Sequence, residues 1–510
     1  MTTEPTWWQA AVGYQIYPRS FCDTTGDGVG DLDGIRRHLD HIADLGVDAL
    51  WLSPFFPSPM ADYGYDVADF CDVDQLFGDL ATFDALVAEA HDRGLKVIID
   101  WVPNHTSEQH PWFLESRSSR DNPKRDWYHW RDPAPDGGLP NNWIESLTFA
   151  PAWTLDEATG QYYLHCFLSQ QPDLNWSNPD VVAAMHDTLR FWLDRGVDGF
   201  RMDVVHLIGK DPGLPDEPAE VAGLPHTVLN DRPETHALLR DLRSLLDSYP
   251  GDRMAVGEVY LLDTDLVASY YGDGDELHLC FNFPPLYAPF DADAWRHQIR
   301  TTQAAHDRRG AWPTWVLSNH DNPRHRTRYG GDERIARAAA VLLLTLRGTP
   351  FLYAGEELGL EDAIVPDAAR HDPAGRDGCR APIPWEPVAP YGWASADPWL
   401  PWPPAPEQVN AATAAADPAS ILALYRHLLA LRHRSAALRL GDMALVEADG
   451  PVLSYRRSWG SEIVEVAINM SDEPVAFEVG GRVALSSRVD GHERGAGVLG
   501  AYEAVVVNVG

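Results

Sequence analysis

Several charged and imidazole side chains stand where short apolar runs of the sequence end. Asp100, Asn104 and His105 lie in DWVPNH, Arg201 and Asp203 close GFRMD, Glu258 closes VGE, and His320 and Asp321 close SNHD. One carboxylate at a strand end is ordinarily a cap or an ion-pair partner. Burying this many charges together lowers stability unless a function requires them. Side chains alternate along an extended strand, so Arg201 and Asp203 should face one way and Met202 the other. That spacing predicts an ion pair that keeps Asp203 ionised by depressing its pKa. Glu258, in the next run, is expected in a less polar surround, where it keeps its proton. One ionised and one protonated carboxyl on adjacent strands is the pair that glycoside hydrolysis needs. Adjacent strands lie ~4.8 Å apart, which suits the ~5–5.5 Å carboxyl separation of a retaining mechanism. A neutral sugar is also what Arg and His donors and aromatic plates suit.

These residues must be positioned by the runs that carry them. Apolar, β-rich runs occur at Val12–Tyr17, Ala49–Leu52, Val97–Trp101, Gly199–Met202, Met254–Val259, Leu277–Phe283, Thr314–Ser318 and Thr349–Tyr353. Helical periodicity follows most of them, as at 83–94, where Leu86, Val87 and Ala90 share a face and Gly94 is a stop, and at 180–196. Eight strand–helix units predict a parallel sheet closed into a (β/α)8 barrel, with the chemistry at the C-terminal strand ends. Residues 106–177, rich in Trp, Pro, Asn, Asp and Ser, read as an insertion after the third strand. Alternating segments from about 440 onward predict a small antiparallel β domain. The expected division is barrel over 1–104 and 178–437, inserted domain over 105–177, and C-terminal β domain over 438–510. The Pro-rich stretch 382–406 reads as a long loop whose Trp and Pro favour ordered packing.

Composition narrows the partners. The chain has 510 residues, with 40 Lys+Arg against 76 Asp+Glu for a net charge of −36. That excess argues against nucleic acid or an anionic membrane as partner. Five Cys without CxxC spacing argue against a secreted disulfide scaffold and read as small buried hydrophobes. With neither a signal peptide nor a membrane-spanning run evident, a cytoplasmic location is expected.

The motifs DWVPNH (100–105), QPDLNW (171–176), GFRMD (199–203), GEV (257–259) and SNHD (318–321) resemble, in that order, those of glycoside hydrolase family 13, the α-amylase family. ADYGYD (61–66) and GRDGCRAPIPW (375–385) resemble its α-glucosidase and oligo-1,6-glucosidase branch. The resemblance runs over essentially the whole chain. It implies a TIM barrel and a retaining, exo-acting α-glucosidase for short oligosaccharides. Asp203 would be the nucleophile, Glu258 the acid/base and Asp321 the carboxylate that holds sugar hydroxyls. Asp62, Tyr65, His105, Arg201, His320 and Arg380 would grip the glucose, Phe149 and Phe167 would be aromatic walls, and Asp100 and Asn104 would stand behind. Because Asp62, Tyr65 and Arg380 come from separate loops, that grip implies a dead-end pocket. A glucosyltransferase on the same scaffold is the alternative enzyme. A non-catalytic binding relative is disfavoured because all three carboxylates are present. Val204, beside the nucleophile, goes with α-1,6 preference in resembling enzymes, while the remaining features suit α-1,4 substrates and sucrose equally.

DTTGDGVGD (23–31) resembles the first half of a calcium loop, although Gly34 stands where a bidentate Glu would be the twelfth residue. The family resemblance implies a structural Ca2+ or Mg2+ on Asp23, Thr25, Asp27, Val29 and Asp31, against the alternative of a bare Asp/Gly turn. No organic cofactor is expected.

Overall fold

The apolar runs pair side by side and parallel. In this computed structural model, which describes residues 5–447, 450–478, 480–489 and 497–509, the first three strands are β1 (Gly13–Ile16), β2 (Ala49–Leu52) and β3 (Lys96–Trp101). A small antiparallel sheet of β4 (Trp130–Arg131), β5 (Trp153–Asp156) and β6 (Gln161–Leu164) then interrupts the series. The series resumes with β7 (Gly199–Met202), β8 (Met254–Gly257), β9 (Leu279–Cys280), β10 (Thr314–Val316) and β11 (Thr349–Tyr353). The eight parallel strands form one sheet in the order β10-β11-β1-β2-β3-β7-β8-β9, a nearly closed (β/α)8 barrel. Their residues are buried on both faces apart from Lys96, which is why they read as unbroken apolar runs.

The seam between the ends of that order is bridged by a side chain. Thr314 Oγ1 donates to the Cys280 carbonyl at 2.6 Å and accepts the Asn282 N–H at 3.3 Å. The helix at Leu80–Asp92 starts where Asp79 accepts the Thr82 N–H, and buries Phe83, Leu86, Val87 and Ala90. The helix at Pro179–Asp194 starts on Asn178 with Pro in its first turn. Both lie within three residues of the ranges read from periodicity.

Register places the polar strand ends together. Asp100 pairs with Arg201 across β3–β7, and Met202 with Gly257 across β7–β8. Asp203 and Glu258 follow one step further, each still in the ladder: Asp203 N–H donates to Trp101 O and Glu258 N–H to Met202 O. Gly257 is needed for close approach, since a Cβ there would stand 2.4 Å from Leu277 Cδ1.

The C-terminal part holds β12 (Asp442–Val446), β13 (Val452–Trp459), β14 (Glu462–Asn469), β15 (Val475–Ala476), β16 (Arg482–Ser486), β17 (Val498–Leu499) and β18 (Ala504–Asn508). Five of these form an antiparallel sheet in the order β12-β13-β14-β18-β16, and β15 pairs with β17. The buried Arg457 ties it to the barrel by donating to the carbonyl of Thr345, the last residue of the helix Glu333–Thr345. The Pro-rich stretch is packed: the indoles of Trp385, Trp393 and Trp399 donate to Phe21 O, Ile383 O and Ser20 Oγ. No helix among the described residues is long and apolar enough to cross a membrane.

Thr314→Val keeps the shape of the seam and removes its hydroxyl. It should destabilise the protein by about 1–3 kcal/mol, because two buried backbone groups lose their partner. Urea unfolding of the variant and the parent measures this.

Candidate active site at the carboxyl ends of the strands

Arg201 is the centre of the site. Its Nη1 donates to Asp203 Oδ1 at 2.7 Å and Asp100 Oδ1 at 3.1 Å, and its Nη2 donates to Glu258 Oε2 at 2.6 Å. Glu258 Oε2 also accepts the Val204 N–H at 3.1 Å. Val204 reaches it from a left-handed backbone (φ +35°), a strained conformation for a β-branched residue.

Both electrostatic expectations change here. Burial pushes the Asp203 carboxyl well above the usual carboxylate range; Arg201 opposes the rise, while Glu258 and Asp100 add to it. One guanidinium serves three carboxylates, so its field does not depress Asp203. Nor is the surround of Glu258 apolar, since it holds a guanidinium and a backbone N–H. The two candidate carboxyls share one guanidinium rather than standing in separate environments.

Asp321 is different. Burial alone would raise its pKa, but His320 and the guanidinium groups of Arg376 and Arg380 hold it well below the usual range. Arg376 Nη1 and Arg380 Nη2 donate to Asp321 Oδ1 at 2.9 and 3.1 Å. His320 is pushed down to about 3, chiefly by burial, so its imidazole is neutral at ordinary pH. It lies between the rings of Tyr65 (5.3 Å, 8°) and Tyr17 (5.8 Å, 18°), with Nε2 2.5 Å from Tyr65 Oη.

A cavity of about 610 Å3 opens over these groups. Asp62, Tyr65, His105, Phe149, Phe167, Asp203, Glu258 and Asp321 line it. Arg201, His320 and Arg380 are not in the wall but buried behind it. For Arg380 this corrects the expectation of sugar contact: its Nε donates to the His320 carbonyl and it backs Asp321. The lining cation is Arg376, four residues earlier, whose Nη2 donates to Asp62 Oδ1 at 2.7 Å and to Asp372 Oδ1 at 2.6 Å. Arg376 thereby ties the loop after β2 to Asp321 beyond β10.

Two more residues escaped the sequence reading. Gln171 Nε2 donates to Asp62 Oδ2 at 3.1 Å and lies 3.1 Å from His105 Nε2. Lys210 Nζ is 3.0 Å from Asp173 Oδ2 and donates to Asn104 Oδ1 at 2.8 Å, joining the inserted segment to the end of β3. Gln171 stood in QPDLNW as an available signal; Lys210 had none. Asp100 and Asn104 do stand behind the wall, with Asp100 accepting from Tyr65 Oη at 2.8 Å and Trp51 Nε1 at 3.2 Å. Burial raises Asp100 to about 6.

The DTTGDGVGD loop supplies hard oxygen donors, but its carboxylates face its own backbone. Asp23 accepts the N–H groups of Thr25, Gly26, Gly28 and Ser395. Asp31 accepts those of Thr24 and Gly34, and Asp27 that of Val29. Among the described residues no three His, Cys, Asp or Glu side chains are grouped to hold a metal ion. Asp23, Thr25, Asp27, Val29 and Asp31, the residues expected to hold a cation, are placed here as a hydrogen-bonded turn.

A barrel with paired carboxyls at its C-terminal mouth is the architecture of a glycoside hydrolase, and comparison with known proteins agrees. Residues 15–441 match the family model "Alpha amylase, catalytic domain", and the chain belongs to the α-amylase family. A "Probable alpha-glucosidase" of Rhizobium meliloti (strain 1021) is 45% identical, over 93% of this chain and 91% of its own. An "Oligo-1,6-glucosidase" of Heyndrickxia coagulans is 38% identical, over 92% and 93%. The crystal structure of XgtA, described as an alpha-glucosyl transfer enzyme, superposes with a TM-score of 0.92 at 42% identity, over 99% of this chain and all of its own.

The raised Asp203 has a consequence for pH. If Asp203 acts in its ionised form, kcat/KM should fall as pH drops through its raised pKa. The acid limb is expected clearly above pH ~4, the ordinary carboxylate value. A pH–rate profile with its acid limb below that value would mean that Arg201 outweighs burial after all.

Proposed function

We propose that the chain is a retaining, exo-acting α-glucosidase that removes terminal glucose from short α-linked oligosaccharides. The observation that carries this is the geometry of the cavity floor. Asp203 and Glu258 share the Arg201 fork, and Arg376 links Asp62 to Asp321 beside them. A floor tied in this way fits one sugar at a chain end, not the middle of a polymer.

In the reaction, the ionised Asp203 carboxylate attacks the anomeric carbon while Glu258 gives its proton to the leaving oxygen. Glu258 then takes a proton from water, which displaces Asp203 and restores the α configuration. Asp321, ionised because of its two guanidinium neighbours, accepts sugar hydroxyls, and Asp62 and His105 complete the grip. Among the described residues that line the cavity, Arg376 is the cation, and it is already bound to three carboxylates. A phosphorylated sugar would meet no free positive charge, so the substrate is a neutral glucoside. Five free cysteines, four of them buried, fit a reducing, cytoplasmic setting.

Asp203→Asn should lower kcat by about 10^3 or more with the fold intact. Glu258→Gln should cost most on substrates with poor leaving groups and least on activated aryl glucosides. Wild-type-like turnover by the first variant, or equal losses by the second on both substrate types, contradicts the assigned roles. On maltoheptaose, glucose should be the first product. Early mid-sized fragments with little glucose would mean an open cleft.

A further inference from the structure

A second polar pocket lies in the inserted segment, apart from the active-site cavity. It encloses about 360 Å3 and shares no lining residue with that cavity. Three arginines, Arg120, Arg125 and Arg131, stand in its wall against one acid, Asp126. In a chain of net charge −36 this is a local reversal of sign.

Two of these cations are held in place without a counter-charge. The Arg125 guanidinium lies 3.5 Å above the Trp130 ring centre. Its Nη1 donates to Ser116 O at 3.0 Å, and its Nη2 to Thr159 Oγ1 at 3.1 Å and Gln161 Oε1 at 2.7 Å. Arg131 donates through Nη1 to Trp130 O at 2.9 Å and through Nη2 to Pro212 O at 2.8 Å. All these acceptors are neutral. Among the described residues neither guanidinium forms an ion pair, and burial lowers the pKa of both, that of Arg125 to about 10. Both remain charged at neutral pH, and each has N–H donors left over from the five a guanidinium carries. Arg120 does pair, with Asp132 at 3.0 Å, but both side chains are well exposed and such a pair contributes little. Asp126 accepts from Asn178 Nδ2 at 3.1 Å.

An imidazole completes the wall. His129 is buried there, and its Nε2 has no hydrogen-bond partner. Burial pushes it down to about 3, so it is neutral and can donate to, or accept from, an oxyanion that carries one proton. Half-buried cations without counter-ions and a buried nitrogen without a partner both cost stability unless a ligand meets them.

We propose that this pocket binds the phosphoryl group of a small molecule, either inorganic phosphate or a sugar phosphate. Several guanidinium groups around one space suit a polyoxyanion with acceptor oxygens on every side. Because Arg125 and Arg131 are already fixed by neutral partners, little side-chain freedom is lost when the anion enters. The site stands apart from the reaction, whose own cavity holds only the matched cation Arg376.

Titration calorimetry on the whole chain at constant ionic strength tests this, with inorganic phosphate and glucose 6-phosphate in separate arms. One saturable site is expected in at least one arm, and none with chloride. Tighter binding of the ester identifies a sugar phosphate as the ligand, and tighter binding of phosphate identifies the free anion. Arg131→Gln and Arg120→Gln should each weaken binding roughly tenfold, the scale of one charge-assisted hydrogen bond. Arg308→Gln, at an exposed arginine paired with Asp265, should leave it unchanged. Arg120 is exposed, so its variant carries the test if Arg131→Gln fails to fold. Absence of binding in both arms overturns the site, as does equal weakening by Arg308→Gln. Binding lost in Arg376→Gln but intact in the Arg120 and Arg131 variants would put the anion in the active-site cavity and also overturn it. Heat of binding is read without turnover, so the result stands or falls separately from the hydrolase reading.

Discussion

A single buried guanidinium sets the terms for everything at the mouth of this barrel. Arg201 holds Asp100, Asp203 and Glu258, from the ends of three neighbouring strands, within 3.1 Å of its nitrogens. Such a cluster is weak evidence for stability, because taking charges out of water offsets much of their mutual attraction. Its value is positional. The fork fixes two carboxyls side by side, and the strand register that pairs Asp100 with Arg201 and Met202 with Gly257 puts all three acids within its reach. At Asp203 burial outweighs the guanidinium, so that carboxyl holds a proton more readily than a free one. Acid/base catalysis needs a proton on one of two neighbouring carboxyls, and a fully ionised pair would lack it.

Around this centre one device recurs: an acidic side chain that collects the N–H groups of its own loop. Asp66 does so for Ala61 and Asp62, placing the Asp62 carboxylate at the cavity. Asp377 does so for His371 and Asp372, and Asp372 in turn holds Arg376. Glu145, Glu217, Asp23 and Asp31 act alike. Part of the large acid excess therefore sits inside, as acceptors that stiffen irregular backbone. Loops held in this way keep polar groups aimed before substrate arrives, which is the condition for electrostatic catalysis to need little reorganisation.

This pattern also explains what was legible in the sequence. The eight strands were readable because burial on both faces makes unbroken apolar runs, and the residues just beyond them were readable because strand periodicity is regular. Arg376 and Arg380 were not separable. They lie four apart across a single 3-10 turn at Asp377–Arg380, too short for a sequence period to say which one reaches the cavity and which turns back to the His320 carbonyl. The protonation of Asp203 was misread for a different reason: it depends on how three carboxylates divide one cation, and a spacing of two residues shows only one of them. In the 23–31 loop the same Asp spacing serves equally a cation and a turn that accepts its own N–H groups.

The floor and the mouth of the cavity then have separable duties. On the floor, each cation is matched: Arg201 to three carboxylates, Arg376 to Asp62, Asp321 and Asp372, and Lys210 to Asp173. A ligand that fits there without disturbing the balance is neutral and rich in hydroxyls, and it is held by direction rather than by net charge. At the mouth, Phe149, Leu224, Tyr260 and Tyr287 leave ring and alkyl surface exposed. The floor decides which bond is broken. In the proposed retaining reaction the same two carboxyls would serve water and any alcohol alike, so the acceptor would be selected where those carboxyls do not reach.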